Sequence, residues 1–508
     1  MESGSDKVVV IGAGMGGLAT AMRLAHAGMG VTVIDSHASP GGKMRTVESD
    51  AGPVDAGPTV MTMRHVFDDL FAACGTALDD HVTLTSDRTL ARHWWSDGST
   101  LDLFADPEAS ARAVADFAGP AEAAAFRRFS DRARQLFDAF DAPMMQAAAP
   151  RVTDLTRQVL ATPALIPALA PLRTLARALA SEFRDPRLRQ LFGRYATYVG
   201  GSPYRSPAVL ALIWHAEATG VWAVKGGMHR LAQAMAGVAQ GGGATFRLGT
   251  HVARIEMQRG RAAGVVLADG TRLAAGQVVF NGDPAALFHG HLGDAVRGAV
   301  PKPAVTPRSL SAAVWSFAAT PRGVDLDHHN VFFGDDPRAE FGPIEAGRLP
   351  DDPTLYICAQ DRGAGHRPTG QERFEIIMNA PPGLADSDKE REICRIRTFE
   401  RLERLGLTFC EEPSPAALTT PADFDRLFPA SQGSLYGRTP HGLMAPFQRP
   451  TARSRIPGLY LCGGGTHPGA GVPMATLSGR HAAAAILTDR TSTLPSRPTA
   501  MRGGMSTA

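Results

Sequence analysis

The chain has 508 residues, with 52 Lys plus Arg against 50 Asp plus Glu; 44% of its residues are hydrophobic and 20% charged. That length exceeds one ordinary core and predicts two or three domains of a globular protein. A net charge of +2 excludes a global attraction to nucleic acid, so none is expected as a partner.

At the N-terminus, "MESGSDK" has no basic region and the apolar stretch after it is broken by glycines, so no signal peptide is expected. "KVVVIGAGMGGLATAMRLAHAGMGVTVID" reads as a strand from Val8 to Ile11, a Gly-rich turn, a helix from about Met15 to Ala27 and a strand from Val31 to Ile34. From about Phe67 to Ala218 the pattern is mostly helical, rich in Ala and Arg and punctuated by Pro. Within it, "VLATPALIPALAPLRTLARALA" (159–180) comes nearest to a membrane span, but three prolines and two arginines suit it to a membrane surface instead. "HVARIEMQRGRAAGVVLADGTRLAAGQVVFNGD" (251–283) reads as short antiparallel strands, with Asp269-Gly270 as a hairpin turn. "PKPAVTP" reads as a linker, and "SLSAAVWSF", "NVFF", "TLYICA" and "RFEIIMNA" as a second set of strands. "KEREICRIRTFERLERLGL" sets Ile393, Ile396, Phe399 and Leu402 on one helical face. "GLYLCGGGTHPGAGVPMATLSGRHAAAAIL" (458–487) opens as a strand, passes through a glycine block and becomes helical at Pro473. Residues after about Asp489 read as a disordered tail. Cys74, Cys358, Cys394, Cys410 and Cys462 fall at no metal or redox spacing, so no metal site is expected and reduced thiols of a cytoplasmic protein are.

Gly12, Gly14 and Gly17 form G-x-G-x-x-G between strand and helix. The first glycine permits the tight turn, the second lets a pyrophosphate reach the backbone, and the third lets helix pack on strand. Met15 and Gly16 begin the helix whose N-terminus faces that pyrophosphate. Asp35 ends the second strand, 21 residues after Gly14, where its carboxylate is expected to accept both ribose hydroxyls. NAD and FAD share this fingerprint. The second loop "SPGGKMRT" separates them: Gly41 and Gly42 with Lys43 and Arg45 add another backbone and cation approach to phosphate, which FAD needs and NAD does not. "DAGPTV", with Pro58, Thr59 and Val60, follows it.

The N-terminal motif, "GPT", the "HVARI" hairpin and the C-terminal glycine block together resemble the carotenoid desaturases of the bacterial phytoene-dehydrogenase type. The resemblance implies an α/β fold with a Rossmann-like FAD-binding domain of the amine-oxidase-like kind, a discontinuous α+β substrate domain, and a helical, membrane-facing region. It implies FAD-binding segments 1–68, 215–295 and 445–490, substrate segments 69–214 and 296–444, and a tail at 491–508. Cofactor contacts are then also expected from Val252, Gly464, Gly465, Thr466, Val472, Pro473 and Met474, with the glycine block under the flavin ring. "GVPMATLSGR" and "YGRTPHGLM" look more like the 1-hydroxycarotenoid 3,4-desaturases, or methoxyneurosporene dehydrogenases, of purple photosynthetic bacteria.

Desaturation removes a hydride from one carbon, which the flavin takes, and a proton from its neighbour. The polyene spreads the developing charge, so positioning and exclusion of water are the main demands. His467, inside the signature "THPGAG", is the first choice for a base, with Glu217 in "WHAEATGVW" and His441 in "TPHGLM" behind it; a His at a Gly-rich turn also serves as a structural hydrogen-bonder. The implied partners are an apolar carotenoid, a membrane surface and an electron acceptor, oxygen or quinone. The implied location is cytoplasmic, on the periphery of the inner or photosynthetic membrane. Three rivals share the fold: a phytoene desaturase, an amine or porphyrinogen oxidase, and a flavin-free escort of prenylated GTPases. The sequence has no aromatic cage for an amine, and the intact glycines with Asp35 oppose the escort.

Overall fold

The computed structural model describes residues 6–163 and 165–493. A five-stranded parallel sheet is ordered Leu459–Leu461, Gln277–Phe280, Lys7–Ile11, Gly30–Ile34, Thr245–Arg247. Its central strands are short apolar runs buried on both faces, as parallel strands require. The helix Met15–His26 packs between His229–Gly241 and Val472–Thr493, and it has no polar stripe: all but Arg23 and His26 are buried. Gln277–Phe280 was expected to extend the preceding antiparallel strands. It enters the parallel sheet instead, since all four of its residues are buried. The antiparallel set is Val252–Gln258, Arg261–Leu267 and Arg272–Ala274, turning at Asp269-Gly270.

A seven-stranded sheet is ordered Leu418–Thr419, Ser311–Ala319, Glu372–Ala380, Leu355–Ala359, His329–Phe332, Thr89–Trp94, Thr100–Phe104. The last two strands lie inside the stretch that reads as mostly helical. They form a hairpin around Asp97-Gly98, and His329–Phe332 pairs with the first of them in parallel. One face of this sheet packs on the helix Asp388–Arg404 through Trp315, Phe317, Phe374, Ile376 and Ile357. On that helix Leu402 is fully buried, while Ile396 is 36% exposed. The other face turns toward the parallel sheet and toward the helices between Pro107 and Gly193. "PKPAVTP" contains one short helical turn, Lys302–Ala304. The C-terminal helix continues through Thr493, so residues 491–493 of the expected tail are helical; the rest of that tail lies outside the described residues.

Candidate active site

Between the two sheets lies a cavity of about 560 Å³. Its first wall is backbone. Gly12, Gly14, Met15 and Gly16 end the first strand and open the first helix; Gly41 and Gly42 lie alongside, tied by a bridge between Gly14 and Gly41 and by the Gly41 N–H donating to Ala13 O at 2.9 Å. The glycines do different work. A Cβ on Gly17 would sit 2.1 Å from Gly12 O, and one on Gly16 2.5 Å from Gly463 N, so these two allow helix, turn and strand to close on one another. Gly464 lines the cavity, and a Cβ added to it would meet nothing within 4 Å. Gly463 N donates to Ser478 Oγ at 2.7 Å, and a Cβ on Gly479 would stand 2.3 Å from Gly16 O. The "SGR" segment is therefore the seam where the last helix meets the first. Its Arg480 reaches across to Gln146 Oε1 at 2.7 Å.

Asp35 lines the cavity and is 7% exposed. Its Oδ2 accepts from Ala13 N at 2.6 Å, and its Oδ1 from His37 N and Nδ1, both at 2.8 Å. Burial opposes its charge, but these donors hold its pKa below the ordinary range, and His37 is raised in return by its hydrogen bond to Asp35. One lone pair of Oδ2 remains free of these donors, so full ribose recognition requires the His37 side chain to turn aside.

Lys43 Nζ donates to Leu435 O at 2.6 Å and stands 5.5 Å over the Phe428 ring. Burial lowers its pKa to about 8; the charges acting on it are Asp283, which opposes that fall, and Arg308 and Arg449, which add to it. Arg308 is paired with Asp283. Arg449 donates to Gly464 O and Tyr436 O, and burial lowers it to about 10. Three cations around one carboxylate leave a positive excess, with Lys43 and Asp283 on the cavity wall and Arg308 and Arg449 behind it. A dinucleotide carrying phosphates and an electron-poor ring fits that excess and the open backbone at Gly464.

Other expected contacts fall on the cavity wall or behind it. Pro58, Val252, Gly465 and Val472 line it. Thr59 sits behind Pro58, its Oγ1 2.9 Å from Tyr356 Oη, and Val60 packs on the helical core. Arg45 also stands behind, donating to Thr419 Oγ1 at 2.8 Å. Thr466 is buried with its Oγ1 turned to Cys462 O, Pro473 is buried in the first turn of its helix, and Met474 packs on the core beneath. His467 is away from the wall. Its Nε2 bonds Ala147 O at 2.8 Å, its ring stacks on His481, and burial lowers its pKa. Glu217 is also away from it, accepting from Tyr195 Oη at 2.6 Å inside the helical core. His441 Nε2 accepts from Ser202 N, and burial lowers it to about 4. Trp94 stacks on Phe332 of the neighbouring strand.

The second wall is made of side chains that no motif announces: Val314, Glu375 and Ile377 from two adjacent strands, with Tyr436 and Gly437 from the loop after them. In the same sheet His328, His329 and Cys358 bring their ligand-type atoms within 4.8 Å of one another. His328 Nδ1 is committed to Asp87 at 2.7 Å, and its pKa is about 10: burial works to lower it, and Cys358 and Asp87 overcome that.

A glycine-built dinucleotide cradle, a cation cluster beside it and a side-chain-walled cavity opposite define a flavoprotein oxidoreductase of amine-oxidase-like fold, with FAD as its cofactor. The family model described as flavin containing amine oxidoreductase matches residues 15–487, and the chain belongs to that family. It is 61% identical over 483 residues to a protein named hydroxyneurosporene desaturase from Cereibacter sphaeroides, covering 95% of this chain and 98% of the relative. A second relative of that name, from Rhodobacter capsulatus, is 54% identical and covered to 99% of its length. Among solved structures, a putrescine oxidase variant superposes with a TM-score of 0.58 at 14% identity, covering 95% of this chain and 99% of that one.

Proposed function

We propose that this protein is an FAD-dependent desaturase that introduces a C-3,4 double bond into acyclic carotenoids carrying a hydroxyl or methoxyl group at C-1. The observation that carries this reading is the 61% identity, end to end, with a protein named for hydroxyneurosporene desaturation. The cavity supports it: one wall is the cofactor cradle, and the other offers apolar Val314 and Ile377 to a polyene. When bound, FAD supplies hydride acceptance. The chain itself holds the polyene's reacting end beside the cradle, keeps water from it with buried strand residues, and sets Lys43, Arg308 and Arg449 to stabilise negative charge at the Gly464 end.

The substrate is membrane-soluble, and we place the protein on the membrane surface. No helix among the described residues is long and apolar enough to cross a bilayer. Val152, Leu160, Ile166 and Leu172 are 46%, 70%, 47% and 93% exposed, and Arg151, Arg157, Arg173 and Arg177 stand exposed among them. Apolar side chains interleaved with arginine suit an anionic lipid surface. Leu160→Asp with Leu172→Asp should release the protein from anionic vesicles into the supernatant while leaving its melting temperature unchanged; continued pelleting of the double variant overturns the placement.

The test of the reaction is product analysis. Purified holo-protein offered 1-hydroxyneurosporene should form a product with one more conjugated double bond, at the end that bears the hydroxyl. Efficient conversion of phytoene, or an amine as the only oxidised substrate, would overturn the reading.

A further inference from the structure

Four strands of the seven-stranded sheet bring four polar side chains into one row. The register sets Ser316 opposite Glu375, Glu375 opposite Cys358, and Cys358 opposite His329. Period-two alternation turns this row, with Val314 and Ile377 in the next row, away from the helix-packed face that holds Trp315, Phe374 and Ile376. Glu375 and Ile377 both line the cofactor cavity. All four row members are at most 2% exposed.

The row is not satisfied internally. Both Glu375 carboxyl oxygens, Ser316 Oγ and His329 Nε2 have no hydrogen-bond partner in the protein. Asp87 Oδ2 is 3.7 Å from His329 Nε2, beyond bonding distance. The charged groups acting on Glu375 are Asp55 and Arg45: Asp55 accepts from Met228 N and His229 N, and Arg45 donates to Thr419, its Nε unpartnered, without reaching ion-pair distance of Glu375. A buried carboxyl with neither ion pair nor hydrogen bond is destabilising, so it marks a place where a ligand supplies the partner.

The substrate class read above has one polar atom, and its position is constrained. Four bonds separate the C-1 oxygen from C-4, so the oxygen lies within about 5 Å of the carbons being desaturated. Whatever recognises it must therefore line the cavity that holds the flavin.

We propose that Glu375 binds the C-1 oxygen of the substrate and sets the preference for terminally oxygenated carotenoids. This rests on the substrate reading above. Burial and nearby Asp55 raise the Glu375 carboxyl well above its ordinary range against the pull of Arg45, which favours its neutral form. A neutral carboxyl donates to either a hydroxyl or a methoxyl oxygen, and its carbonyl oxygen accepts from a hydroxyl alone. One residue thus accommodates both substrates, with the hydroxyl form making the additional bond.

The test offers 1-hydroxyneurosporene and neurosporene together to holoenzymes of the wild type, Glu375→Leu, Glu375→Gln and Ser316→Ala. Glu375→Leu should lower the kcat/KM preference for the hydroxylated carotenoid roughly ten- to hundredfold, through a KM raised more for that carotenoid than for neurosporene. Glu375→Gln, which still donates and accepts, should keep most of the preference, and so should Ser316→Ala, whose side chain stands off the cavity wall. Equilibrium titration of each carotenoid against the flavin absorbance should show the same ranking of Kd without turnover. An unchanged preference in Glu375→Leu overturns the proposal. So does loss of kcat on both carotenoids in Glu375→Gln with FAD content and melting temperature intact, which would make Glu375 the proton acceptor instead. If the wild type turns over neither carotenoid, the substrate reading fails by itself, and equal wild-type Kd for the two would then overturn the proposal separately.

Discussion

The cofactor cradle and the substrate sheet face each other across one cavity and are built from opposite materials. The cradle is backbone: Gly12, Gly14, Gly41, Gly42 and Gly464 present peptide groups to the cavity. The sheet presents side chains, and its chemistry at Glu375 depends on neighbours contributed by three other strands. A backbone site needs residues that are absent, so glycine spacing within a few turns of chain betrays it. A side-chain site needs ordinary residues in register, and register is a long-range property.

Within the cradle the comparison can be broken at single glycines. Gly17→Ala should cost about 3–5 kcal/mol of apo-protein stability, because its Cβ would fall 2.1 Å from a main-chain oxygen that cannot move without parting strand from helix. Thermal unfolding of the apo-form measures it, and an unchanged melting temperature refutes the packing role. Gly464→Val should do the reverse. Its side chain has open space, so the apo-form should melt within about 0.5 kcal/mol of wild type. FAD retained through gel filtration should fall by at least about tenfold in affinity, roughly 1.4 kcal/mol. A yellow Gly464→Val protein would show that no ring lies there.

Asp35 is the one side chain on the cradle wall whose role the glycine fingerprint specifies, and it tests whether a side chain in a backbone site acts on ligand or on fold. Asp35→Ala removes charge-assisted bonds expected to be worth roughly 1.5–3 kcal/mol to FAD, but it also strands Ala13 N–H. Asp35→Asn keeps an acceptor for Ala13 and loses the charge. FAD titration of the two apo-variants should show Asn losing affinity with little change in stability and Ala losing both. Equal FAD affinity in wild type and Asn would remove Asp35 from ribose recognition.

Legibility in the sequence follows the same division. The strand–turn–helix–strand at the N-terminus and the strand–glycine–helix near the C-terminus stand close to where pattern and spacing put them, since each is local. The hairpin Thr89–Phe104 was hidden in an Ala- and Arg-rich surround. Its Asp97-Gly98 turn carries the same signal that exposed Asp269-Gly270, so it was legible in principle. Gln277–Phe280 was recognisable as a strand, but its partner is set by the two-sided burial of four residues, which no neighbour announces. His467 drew attention by sitting in the glycine block, yet it is bonded to a main-chain carbonyl behind the wall. Glu375 drew none. The signal was present as a lone acid within "RFEIIMNA", two residues from Ile377 and so on its face, but only the paired strands show that no hydrogen bond answers it.

Lys43 joins the two regions, because a cradle residue has its amine buried against Leu435 and Phe428 of the loops after the second sheet, and it yields the smallest expected effect. In the unfolded chain it titrates near its ordinary 10.5; in the folded apo-protein burial brings it to about 8. Below about pH 8 the lysine is charged in both states, and the full cost of a buried cation weighs on the fold. From pH 8 to 10.5 the unfolded chain still holds a proton that the folded one has released. Stability relative to Lys43→Met therefore rises with pH across that window, by on the order of 1 kcal/mol after allowing for solvent screening. Bound FAD brings negative charge into the cavity, favours the protonated amine and lifts the folded value back toward 10.5, which closes the window. The difference in melting temperature between wild type and Lys43→Met should climb between pH 8 and 10 in apo-protein and stay level in holo-protein. The same slope in both forms would mean that Lys43 answers only to Asp283, Arg308 and Arg449 and does not sense the cofactor.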